Sequence, residues 1–98
     1  MNTFAALADP TRQQIVEDLA RSGQMSASDI ASHFAMSKPA VSQHLKVLKS
    51  AGLIEMEIRA QFRMYRLRPE ALEEIAAWSL HTRMLWSKSA NKPDTAQD

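Results

Sequence analysis

The 18-residue run SKPAVSQHLKVLKSAGLI, residues 37–54, constrains the fold more than any other stretch of this chain. At about 100° per residue, Val41, Leu45 and Leu48 fall in one narrow apolar stripe, while Pro39, Ser42, Gln43, Lys46 and Ser50 lie on the opposite side. Ser37 is a good N-cap, Pro39 is tolerated in a first turn, and Gly52 suits the left-handed position just past the last turn. A helix over 37–50 therefore starts and stops cleanly. Its outer face carries short hydroxyls, an amide and an ammonium, groups that hydrogen-bond base edges and phosphates in a DNA groove. The first turn also offers backbone donors to a phosphate. The same pattern describes an amphipathic surface helix with a solvated face, so the surroundings decide.

With 98 residues the chain supports one small core, and a core of that size favours oligomerisation. There is no cysteine, which excludes disulfides, thiol redox sensing and thiolate metal sites. No apolar run approaches the roughly 20 residues that span a bilayer, and no signal-like segment precedes a cleavage site. No membrane partner and a cytoplasmic location are the expectation. The net charge of +1 hides an uneven distribution. Residues 36–68 hold seven bases against two acids, a net +5, while 1–35 and 69–98 each carry a net −2. A basic middle between acidic ends suits a phosphate-binding surface on a near-neutral domain, although blocks this short also arise by chance.

The elements follow in a definite order. Phe4 and Leu7 can share one face of a short apolar segment, and Asp9-Pro10 opens a helix through Ile15, Val16 and Leu19 to a stop at Gly23. Ser26 and Asp29 resemble a capping box, and the helix they start buries Ala27, Ile30, Ala31 and Phe34. Only Ala35 and Met36 are left as a turn before Ser37, which makes a helix-turn-helix pattern without the glycine often found in its turn. Beyond Gly52 the period becomes alternating, giving strands over 53–59 and 62–68 around Ala60 and Gln61. With no Asn-Gly or Gly-Gly, this hairpin loop is either longer than two residues or more strained than a tight primed turn. Arg59, Arg63 and Arg66 near its tip fit a grip on DNA backbone or minor groove, and fit equally a charged edge that discourages strand pairing.

Pro69 opens a final helix that ends near Trp86 or Ser87. Leu72, Ile75, Ala76 and Trp86 share one face and Ala71, Trp78 and Leu85 another, so one face packs on its own domain while the other needs a partner. A two-fold mate, met together with Phe4 and Leu7, supplies it; a ligand pocket lined by the tryptophans is the alternative. Residues 1–86 then form one domain, mainly α with a small β-hairpin, and 87–98 a polar disordered tail.

This order resembles the winged helix-turn-helix repressors of the ArsR family, most clearly in LADPTRQQIVEDL, in SKPAVSQHLKVLKSAGLI and in the MYRL that closes the hairpin before Pro69. The resemblance implies a homodimer, joined through terminal helices, that occupies a palindromic operator on double-stranded DNA and blocks transcription. By position it assigns Ser37, Lys38, Pro39, Ala40, Ser42, Gln43, His44 and Lys46 to the major groove, and Arg59, Gln61 and Arg63 to the wing. Gln43 suits bidentate pairing with adenine and Lys46 a phosphate, while His44, at the border of the stripe, suits packing or a phosphate contact more than base reading. Phe4, Leu7, Trp78 and Leu85 are the dimer-interface candidates.

Metal-sensing members carry a cysteine pair in the helix before the turn, or an acid and histidine set on the terminal helix. Here Ser28, Asp29 and Ile30 occupy the first region, and His81 stands with scattered Glu70, Glu73 and Glu74 in the second. The chain looks like the metal-independent members: no metal and no cofactor are expected, His33 and His81 read as surface or interface histidines, and the effector is unknown. With no cysteine nucleophile, no Gly-rich phosphate loop and no Ser-His-acid constellation, no catalytic residue is expected. The alternatives are a metal or small-molecule sensor of the same fold, or a winged-helix module for protein contact.

Overall fold

The computed structural model describes residues 2–90. Four helices begin where a side chain accepts one of the N–H groups that a first turn leaves without a partner. Asn2 Oδ1 takes the Ala5 N–H at 2.8 Å to open α1 (Thr3–Ala6), and Asp9 Oδ2 takes that of Arg12 at 3.0 Å to open α2 (Pro10–Ser22). Ser26 Oγ takes the Asp29 N–H at 3.1 Å ahead of α3 (Ala27–Ser32), and Ser37 Oγ that of Ala40 at 3.2 Å ahead of α4 (Lys38–Ser50). A two-residue strand, β1 (Met25–Ser26), lies between α2 and α3. After α4 come β2 (Ile54–Arg59), β3 (Phe62–Leu67) and α5 (Pro69–Ala90).

The end of α4 makes the turn into the sheet. Gly52 at φ 79° reverses the chain, the Leu53 N–H reaches the Leu48 carbonyl at 3.0 Å, and the Gly52 N–H reaches that of Lys49 at 3.1 Å. This is the Schellman pattern, and its two apolar partners, Leu48 and Leu53, are both fully buried. Each contributes about 1.5–3 kcal/mol of hydrophobic burial, so the residues that stop the helix also hold it to the core. Around them Ile15 and Leu19 of α2, Ile30 of α3, Val41 and Leu45 of α4 and Tyr65 of β3 complete the interior.

Three sequence expectations change, and of the two expected for the hairpin loop the strained one is found. The sheet has three antiparallel strands, in the order β1-β3-β2, because Met25 pairs with Tyr65 and Ser26 with Met64. The turn between the two helices is longer than Ala35 and Met36: α3 already ends at Ser32, with His33 as its C-cap. The hairpin loop is two residues long, since Arg59 pairs with Phe62, and the strain appears at Ala60, which adopts a φ of 55° without being glycine. Finally, α5 runs past Trp86 and Ser87 to Ala90, so 87–90 of the expected tail are helical and 91–98 lie outside the described residues.

The inward face of α5 also differs from the expected one. Ala71 is buried and Ile75 half-buried, whereas Leu72 is 37% and Trp86 69% exposed. The reason is local: Ala71 is small enough for the first turn of α5 to sit close on the core. Farther along, Thr3 Oγ1 donates to Glu74 Oε1 at 3.2 Å, and the Phe4 and Trp78 rings meet edge to face at 5.5 Å, tying α1 to α5. From residue 76 to residue 89 every position of α5 is exposed.

Candidate nucleic-acid interface

The apolar stripe of α4 is turned inward, with Val41, Leu45 and Leu48 buried, which leaves Ser42, Gln43, Lys46 and Lys49 in solvent. Lys38 and Pro39 are exposed at its start and Ala40 is half-buried. The first turn gives less to an anion than its position suggests. Pro39 has no N–H and that of Ala40 is held by Ser37 Oγ, so a phosphate at this end is met by side chains more than by backbone.

His44 sits behind the polar face instead of on it. Its Nδ1 lies 3.3 Å from Arg12 Nη1 and 3.9 Å from Asp9 Oδ2, the latter beyond hydrogen-bonding distance. A guanidinium only donates, so Nδ1 is the acceptor in this contact whenever it carries no proton. Arg12 meanwhile donates through Nε to the Ala6 carbonyl at 2.6 Å and through Nη2 to that of Ala5 at 3.5 Å, so one side chain joins the end of α1, the start of α2 and the middle of α4. The Arg12 N–H bonded to Asp9, together with the nearby charges of His44 and Arg12, holds the Asp9 carboxyl below its ordinary 3.8 despite partial desolvation. Nothing in the local periodicity points to Arg12, since its partner is 32 residues away.

On the hairpin the arginines divide. Arg66 of β3 pairs with Glu55 of β2 across the ladder, Arg59 with Glu57 at 3.5 Å, and Arg68 with Glu70 at 3.9 Å. Among the described residues Arg63 has no such partner. By strand alternation it shares the core face of β3 with Tyr65, and it lines a cavity with Lys38 and Ser42 of α4. The structure thus brings part of the wing set to the start of α4, and leaves Arg59 and Gln61 exposed at the tip.

Among the described residues no three His, Cys, Asp or Glu side chains gather as a metal site would require. His33 instead bonds through Nδ1 to Asp18 at 3.0 Å. The cavity of about 520 Å³ beside the end of α5 is lined by His81, Arg83, Met84, Leu85, Ser87 and Lys88 and by neither tryptophan.

A short helix, a turn, a second helix with a free polar face and then a two-stranded ribbon define a winged helix-turn-helix domain. Residues 9–56 match the family described as bacterial regulatory protein, arsR family. The chain is 44% identical over 80 residues to the transcriptional repressor SdpR of Bacillus subtilis, covering 82% of this chain and 88% of that one. It is 48% identical over 69 residues to the HTH-type transcriptional regulator Rv2034 of Mycobacterium tuberculosis, covering 70% of this chain and 64% of that longer relative. In three dimensions it matches an ArsR family transcriptional regulator, RHA00566, with a TM-score of 0.80 and 29% identity over 87% of both chains. The homodimeric winged helix-turn-helix DNA-binding domain Mb0332 of Mycobacterium bovis matches with a TM-score of 0.67 and 27% identity, over 83% of this chain and 75% of that one. The chain belongs to the ArsR family and is a DNA-binding transcriptional regulator.

Proposed function

We propose that the protein is a repressor that binds a palindromic operator as a homodimer, placing α4 of each protomer in the major groove and the hairpin against the adjacent backbone. The observation that carries this reading is the clean division of α4 into a buried stripe and an exposed row of Ser42, Gln43 and Lys46. Gln43 reads a base, Lys46 contacts a phosphate, and His44 acts from behind by fixing α4 against Arg12.

Dimerisation is supported by the apolar surface left on one chain. Phe4 is 42%, Trp78 57% and Leu85 53% exposed, and Phe4 and Trp78 already touch. Leu7 is half-buried against the core and contributes less. A second copy covers this surface with the same surface, as a two-fold interface requires. Repression follows by occupancy: the protein acts by binding DNA and catalyses no reaction, and its place is the cytoplasm, where the operator is. Among the described residues no helix is long and apolar enough to cross a membrane.

Fluorescence-anisotropy titration of a duplex selected by the purified protein from a random library tests the reading. Gln43→Ala is expected to lose about 1–3 kcal/mol of discrimination at one base pair per half-site while keeping its affinity for unrelated duplex. Equal loss on all sequences would remove Gln43 from base reading. A wild-type protein that selects no duplex would end the proposal.

A further inference from the structure

Seven bases lie between residues 36 and 68, and three of them are neutralised within the chain: Arg59 by Glu57, Arg66 by Glu55 and Arg68 by Glu70. Lys38, Lys46, Lys49 and Arg63 have no carboxylate among the described residues. Of these four, Lys38 and Arg63 line the same cavity although they come from different elements, the first turn of α4 and the middle of β3. Its volume is about 180 Å³. That is room for a phosphate group and a few waters, each water taking about 30 Å³.

The chemistry of the wall is that of an anion site. Ser42 of α4 and Ser28 of α3 add hydroxyl donors, and the buried Tyr65 ring, with Val41 and Leu45, forms an apolar back that lowers the local dielectric. Lys38 and Arg63 are like charges bordering one small cavity, and an anion held there is attracted to both. An arginine and a lysine bordering one cavity together with two serines suit a phosphate, which Arg meets with two parallel N–H bonds and Lys as a point charge. With Pro39 lacking an N–H and the Ala40 N–H held by Ser37, side chains supply most of the donors at this end of α4.

We infer that Lys38, Ser42 and Arg63, with Ser28, hold one and the same backbone phosphate of the bound DNA. The inference rests on the DNA-binding reading and goes beyond it: the wing and the recognition helix do not bind as separate modules but close on a shared anion. That phosphate ties β3 to α3 and α4, and so fixes the angle at which Gln43 enters the groove. Ser28, outside the set that the sequence pattern selects, belongs to the site by its place in the wall.

The test uses full-length protein and a duplex selected by it from a random library. Each phosphate is replaced in turn by an uncharged methylphosphonate, and affinity is read for wild type, Lys38→Gln and Arg63→Gln, whose substituted side chains are all exposed. Wild type is expected to lose about tenfold at one phosphate per half-site, as for a single charged hydrogen-bonding contact, while either variant loses almost nothing further at that position. The double variant falls little below the single ones, and the slope of log affinity against log salt drops by about 2 for the dimer, one phosphate per half-site, and not by about 4. Variants that respond to two different phosphates, or whose losses simply multiply, would overturn the shared site while leaving DNA binding standing. Failure of wild type to select any duplex would instead remove the reading beneath it.

Discussion

At the residue scale the chain is organised by a few polar side chains with several partners. Asp18 accepts from Arg21 Nη2 at 2.6 Å, Gln14 Nε2 at 3.0 Å and His33 Nδ1 at 3.0 Å, and so ties α2 to the end of α3. The His33 bond is the foremost of the causes that hold its carboxyl below the ordinary 3.8, with the bonds from Gln14 and Arg21 adding to it against partial desolvation. A carboxylate with a depressed folded pKa contributes stability that is fully present above its unfolded pKa and lost as pH falls through the folded value. Urea denaturation is expected to show wild type more stable than Asp18→Asn at about pH 5, with the gap closing toward about pH 3. A gap that stays constant would show that the Asp18 charge is not what the helices use. Residue-scale features were legible where they are local: Asp9, Ser26 and Ser37 were readable as caps because a cap acts three residues ahead. The Arg12 to His44 contact was not, because only the folded chain brings α2 against α4.

At the scale of elements, α4 and the hairpin were readable and their neighbours less so. The stripe of Val41, Leu45 and Leu48 and the stop at Gly52 follow from spacing alone. By contrast β1 is two residues long, too short to show alternation, and exists because Tyr65 offers Met25 a partner. The inward face of α5 was misassigned for a related reason: periodicity groups residues into faces but does not say which face docks, and the small Ala71 outcompetes the larger Leu72 at the point of closest approach. The hairpin carries a testable cost. Ala60 at φ 55° occupies the left-handed region, which disfavours a non-glycine residue by about 1–2 kcal/mol. Ala60→Gly removes that strain but returns about 0.4–1 kcal/mol through the freer unfolded chain, for a net change between about 0 and about 1.6 kcal/mol in favour of the variant. Chemical denaturation measures it, and a destabilised variant would mean that the turn is not strained. A second element-scale expectation concerns the core: Leu48→Ala, at a fully buried position that also closes the Schellman turn, should cost about 2–5 kcal/mol in the same assay. A loss below about 1 kcal/mol would show that Leu48 is not part of a packed interior.

At the scale of the whole molecule, charge and apolar surface are separated. Among the described residues the unneutralised cations Lys38, Lys46, Lys49 and Arg63 lie on α4 and the hairpin, whereas Trp78, Leu80, Met84, Leu85 and Trp86 lie exposed along α5. So many large apolar groups exposed on one helix support the proposed dimer, in which α5 pairs with its two-fold mate and sets two copies of α4 at a fixed separation. That separation turns a domain that grips any phosphate backbone into one that recognises a site. The charge distribution hinted at this arrangement in the sequence, since the basic segment is confined to 36–68, but the pairing of three of its arginines with glutamates appeared only in the fold. Hydroxyl-radical footprinting of wild-type protein on its selected duplex measures the division of labour most directly. The expected result is two equivalent protected tracts related by two-fold symmetry, with centres about 34 Å or one helical turn apart. A single asymmetric tract, or uniform protection that ignores sequence, would contradict it.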